Sequence, residues 1–123
     1  MKRVAATKAF SRRTDLSDQA LYDAAAEIQQ GLYEADLGGG VVKKRVAYPG
    51  RGKSGSTRVL VAIRVKGLVI FLTGRDKSAP GTDFTVGQID AAKVLARQFT
   101  ALTATQLNEA IEFGALKEIC NAT

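Results

Sequence analysis

Between Ser17 and Leu32, the apolar residues Leu21, Ala24, Ala25, Ile28 and Leu32 fall at i, i+3, i+4, i+7 and i+11, the spacing of one helical face. Ser17 stands just before them and is the expected N-cap. Segment 33–40 ends in Gly38, Gly39 and Gly40, which no helix or strand interior favours, so it reads as a turn that reverses the chain. Val41 to Tyr48 then reads as a strand, β-branched at its start, basic in its middle and stopped by Pro49-Gly50. From Ser56 to Val65 the pattern alternates, placing Thr57, Val59, Val61, Ile63 and Val65 on one face and Arg58, Leu60, Ala62 and Arg64 on the other. Lys66-Gly67 makes a tight hairpin turn, and Leu68 to Gly74 is apolar throughout, as a central strand would be.

After a loop from Arg75 to Asp83, Thr85 and Gln88 form a capping box that opens a helix with Ile89, Ala92, Leu95, Ala96, Phe99 and Leu102 on one face. Thr103 and Gln106 repeat the device for a shorter helix carrying Leu107, Ala110 and Ile111. The remaining GALKEICNAT fits either a short strand or a tail. The order is therefore helix, three strands, two helices. The fold class is α+β: a small antiparallel or mixed sheet of three to four strands, packed on one face by N-terminal and C-terminal helices.

A length of 123 residues makes this one domain, 1–123, large enough to bury roughly two-thirds of its surface without a disulfide or metal. The start holds no apolar run of signal-peptide length, and no stretch approaches a membrane span, so a soluble cytoplasmic protein is expected. With one cysteine, Cys120, and no histidine, the usual Cys and His metal sites and every His-based triad are excluded, and no cofactor or metal is expected. Chemistry must run on Lys, Arg, Asp, Glu, Tyr, Ser or Thr.

The net charge of +6 is unevenly spread: residues 41–77 carry +9, while the flanks are −1 and −2. That concentration points to a polyanionic partner. Edge strands also carry lysines to block pairing, but nine net charges in 37 residues exceed that need. Residues 47–54, AYPGRGKS, fit a relaxed phosphate-loop pattern. A β-alternating run follows where the mechanism needs a helix N-terminus, so nucleotide hydrolysis is rejected and the segment reads as a basic hairpin loop. Lys43 and Arg45 point to one side of their strand and Lys44 to the other, while Arg58 and Arg64 share a face of the next. Ribonucleolytic chemistry needs no histidine. A lysine crowded by cations can act as base near neutral pH, and arginine forks can hold the developing phosphorane charge.

The run DLGGGVVKKRVAYPGRGKSGSTRVLVAIR, followed after one strand by GRDKS, resembles the RelE-like toxins of the RelE/ParE/HigB superfamily. The resemblance covers most of the chain from Ser17 to about Leu116 and implies the toxin of a type II toxin–antitoxin pair. It implies a metal-independent endoribonuclease that cuts mRNA, in many members on the ribosome, and is silenced by a cognate antitoxin. Such antitoxins often carry a helix-turn-helix, so operator DNA would be met only through the partner. By position, Lys43 and Arg45 resemble the strand residues that contact mRNA phosphates and supply the base, Arg58 the arginine that steadies the scissile phosphate, and Arg75 the basic residue after the last strand. Lys44, Arg51, Lys53, Arg64 and Lys77 are further expected RNA contacts. Where RelE has a C-terminal tyrosine, the nearest aromatic here is Phe84, able to stack but not to exchange protons. The alternatives are a non-catalytic ParE-like inhibitor of DNA gyrase and a catalytically dead nucleic-acid-binding homologue. Tyr22 and Tyr33 read as packing residues, and Tyr48, beside the basic strand, as the tyrosine most worth testing.

Overall fold

The structure, a computed structural model, describes residues 2–47, 55–75 and 83–120. The elements run β1 (Arg3–Thr7), α1 (Lys8–Arg13), α2 (Asp18–Gln29), β2 (Ala35–Gly38), β3 (Val41–Ala47), β4 (Ser56–Val65), β5 (Leu68–Gly74), α3 (Val86–Thr100), α4 (Ala104–Glu112) and β6 (Leu116–Ile119). The class is α+β as expected. The sheet is wider than the expected three to four strands: six strands lie in the order β2-β3-β4-β5-β1-β6. All pairs are antiparallel except β1 with β5.

Helices cover both sheet faces, where one had been expected. Alternation along the strands sends Val42, Val59, Val61, Val69 and Phe71 toward α1 and α2, and Leu60, Ala62, Ile70 and Leu72 toward α3 and α4. The cause is visible in β5. A strand apolar on both sides must be covered on both, and Leu68 to Leu72 are all buried. The alternation in β4 breaks near its end, where a register shift between Ala62 and Val65 turns Val65 to the α3 side, away from Val59 and Val61.

The helix caps follow the sequence. The Ser17 hydroxyl accepts from the Ala20 amide at 3.1 Å, and both capping boxes are complete. Helix α2 stops at Gln29, short of the expected Leu32, because Gly31 takes a left-handed φ of 85°; Leu32 is left outside, half-exposed. The expected turn over 33–40 is in part strand β2, with the reversal compressed into Gly39 and Gly40. Gly38 to Gly40 all have positive φ, and a Cβ on Gly39 or Gly40 would press on the side chains of Lys93 or Arg64 at 3.3 Å. That close approach seats the turn beside α3.

Besides β2, three elements were not assigned from the sequence. Strand β1 fills an inner slot of the sheet, where Ala5 and Ala6 are fully buried. Helix α1 follows directly, capped by Thr7, and inserts Phe10 against Phe71 with ring centroids 5.4 Å apart. The undecided C-terminal segment is strand β6, held antiparallel to β1 and tied to it by the two-point pairing of Arg3 with Glu118.

Candidate nucleic-acid interface

The paired strands β3 and β4 build the site. Arg45 lies directly opposite Arg58 and Lys43 opposite Leu60, and by alternation Lys43, Arg45 and Arg58 emerge on the α3 side, the face of Val41 and Leu60. Arg75 immediately follows β5, and its amide donates to the Arg58 carbonyl at 3.1 Å. The four residues expected to carry chemistry thus meet at one corner of the sheet, contributed by three adjacent strands.

Like charges directly opposite one another destabilise a sheet unless an anion lies between them. Glu34, just before β2, supplies it. Arg58 Nε donates to both oxygens of its carboxylate at 3.0 and 3.3 Å, and Arg45 Nε lies 3.9 Å from Oε1. Asp83, just before α3, holds the other side. Its Oδ2 accepts from Lys43 Nζ at 2.7 Å, its Oδ1 accepts from the Phe84 amide at 2.8 Å, and its carbonyl accepts from Arg75 Nη1. The Lys43 ammonium, then the Phe84 amide, hold the Asp83 carboxyl below the usual carboxylate range. Lys43, Arg45 and Arg58 thus share two carboxylates, and Arg75 joins them through the Asp83 carbonyl. A phosphodiester, with its own negative charge and acceptor oxygens, matches the donors of such a corner.

The other expected contacts divide. Lys44 points to the opposite face, 9% exposed, and its ammonium donates to the Leu32 carbonyl at 2.9 Å and lies 3.3 Å from Glu27. Arg64 is six residues from Arg58 along β4, about 20 Å at strand spacing, and lies across the Gly40 turn. Phe84, expected to offer a stacking face, is 9% exposed in the core beneath α3. An aromatic at the entry to a capped helix serves here as the plug that seats the helix. Arg51, Lys53, Lys77 and Tyr48 lie outside the described residues. Tyr22 and Tyr33 pack against the α2-side core, as expected. The residues after the rejected phosphate-loop pattern form β4, not a helix.

Glu34 and Asp83 were missed because counting cations hides the acids that organise them. The available signal was positional: each is an acid just outside the basic zone, Glu34 before the glycine turn and Asp83 before the capping box.

A family model described as RelE toxin of RelE / RelB toxin-antitoxin system matches residues 2–119. The chain belongs to the RelE toxin family. This RelE-family chain is therefore the toxin of a toxin–antitoxin system, with an antitoxin as its partner. No curated protein matches it. The match begins within a residue of β1 and ends with β6, so the strands missed in the sequence are part of the family domain. Among the described residues, no helix is long and apolar enough to cross a membrane.

Proposed function

We propose that this toxin is an endoribonuclease that cleaves mRNA on the ribosome and so stops translation. The observation that carries the reading is the convergence of Lys43, Arg45, Arg58 and Arg75 on one sheet corner. In the reaction, the 2′-hydroxyl of one nucleotide gives its proton to a base as its oxygen attacks the adjacent phosphorus, and the bond to the 5′-oxygen breaks as that oxygen takes up a proton, leaving a 2′,3′-cyclic phosphate and a free 5′-hydroxyl. The phosphorane between them carries extra negative charge. Arginine forks and an ammonium fixed around it stabilise that charge more than they stabilise the ground state. The cations take the part that metal ions play in other nucleases, so the reaction is metal-independent. The toxin acts in the cytoplasm, where its antitoxin silences it, and meets operator DNA only through that antitoxin.

The test adds purified toxin to a defined mRNA with and without programmed ribosomes and maps the new 5′ ends by primer extension, with Arg58→Ala beside it. Discrete cuts that require ribosomes and vanish in the variant are the expected result. Intact RNA in both tubes overturns the reading.

A further inference from the structure

We infer that Asp83 is a positioning residue of the RNA-cleaving site, holding Lys43 and Arg75 on either side of Arg58 in the arrangement that receives the phosphate. The inference rests on the nuclease reading above. Lys43 comes from β3 and Arg75 follows β5, with β4 and Arg58 between them. Neither strand touches the other, so something must span β4 to set the two cations relative to each other. Asp83 does so with two different groups, its carboxylate on Lys43 and its carbonyl on Arg75.

Asp83 is itself held in place. Phe84 beside it is buried in the core, its amide closes on Asp83 Oδ1, and Thr85 caps α3 with a complete capping box. The carboxylate is thus an extension of the helix start, and the lysine stem, which rotates freely in solution, gains a fixed end point. The depressed carboxyl keeps that anion charged throughout the neutral range. Glu34 serves Arg58 and Arg45 on the other side, which leaves Asp83 as the anion paired with Lys43 among the described residues.

A carboxylate in a phosphate site has an opposite reading, that it only competes with substrate. The two differ in sign. In Asp83→Asn the amide oxygen still accepts from Phe84, but its NH2 now faces the Lys43 ammonium, donor against donor. The structure therefore predicts kcat on ribosome-bound mRNA lower by about tenfold to a hundredfold, with KM unchanged or reduced because a negative charge is gone. A rise in kcat/KM means competition and overturns the inference.

The second readout needs no RNA. Competitive acetylation with acetic anhydride should modify Lys43 severalfold faster in Asp83→Asn than in wild type, and Asp83→Glu should restore much of the protection. Equal labelling and equal kcat in wild type and Asp83→Asn, with wild type active, overturn the inference while leaving the nuclease reading intact. Inactive wild type with a labelling response overturns both the nuclease reading and the catalytic role, leaving a structural ion pair. Urea midpoints of the variants, expected to be close to wild type, separate lost positioning from lost folding.

Discussion

Lys43 and Lys44 are adjacent residues of the same type, yet the fold gives them opposite uses, and substitution of Lys44 tests that difference. The Lys44 ammonium donates to the Leu32 carbonyl beyond the end of α2 and pairs with Glu27 on that helix, so it ties β3 to the helix. Replacing it with methionine keeps most of the aliphatic stem and removes the charge. Leu32 is half-exposed, so water partly replaces the lost donor and the cost falls near the low end of an unsatisfied carbonyl, about 1 kcal/mol. Glu27 is 54% exposed on its side chain, which limits the ion pair to under about 1 kcal/mol. Lys44→Met should therefore lose about 1–2 kcal/mol. Lys44→Ala also removes roughly three buried methylenes, adding about 2 kcal/mol. Urea unfolding with an unchanged m-value measures both, and RNA cleavage at 25 °C by the methionine variant should stay within about twofold of wild type, since its charge faces away from the site. A variant as stable as wild type that cleaves about a hundredfold more slowly would refute the reasoning and return Lys44 to the RNA surface.

Two further perturbations follow from named contacts. A Cβ on Gly74 would sit 2.5 Å from Thr14 Cγ2 and 3.3 Å from Phe10 Cε2, so Gly74→Ala should cost about 1–3 kcal/mol by urea unfolding. Thr14→Ser removes the clashing methyl and should recover much of the loss in the double variant; strict additivity of the two changes would contradict the contact. The Asp83 and Glu118 carboxyls are both depressed, Asp83 chiefly by Lys43 and Glu118 chiefly by Arg3. Because folding lowers these values, their stabilisation is complete above the ordinary carboxylate range near pH 4 and is lost as pH falls through the depressed values. The small gap in urea midpoint between wild type and an Asp83→Asn/Glu118→Gln variant should close as pH falls below the ordinary carboxylate range, and a constant gap would contradict the assignment.

What could be read in advance was what depends on neighbours in sequence. The capping boxes at Thr85 and Thr103, the alternation that puts Arg58 with Leu60, and the apolar run of β5 all declare themselves within a few residues. Strand β1 did not, because RVAAT is short and alanine-rich, with little β propensity of its own; it is a strand because β5 and β6 flank it. Helix α1 is six residues with one buried anchor, too short for a periodic signal. In the site, the face shared by Lys43 and Arg45 follows from strand period alone, whereas its union with Arg58 is set by the register of β3 against β4. The spacing of Arg58 from Arg64 follows from the period too, but the ion pairs with Glu34 and Asp83 depend on where a turn and a helix start come to rest. Phe84 shows the same limit. An aromatic beside a basic loop reads as a stacking platform, and only the packing of α3 shows it to be core.

The central claim is that chemistry sits at one corner of the sheet and not along the whole basic segment. It is tested most directly by single-turnover cleavage of ribosome-bound mRNA by Lys43→Ala, Arg45→Ala, Arg58→Ala and Arg75→Ala, compared with Arg64→Ala at the far end of β4. The account predicts losses of about a hundredfold or more at Arg58, substantial losses at the other three, and a change of no more than about threefold at Arg64. Equal losses at Arg64 and Arg58, or full activity in all five variants, would contradict it.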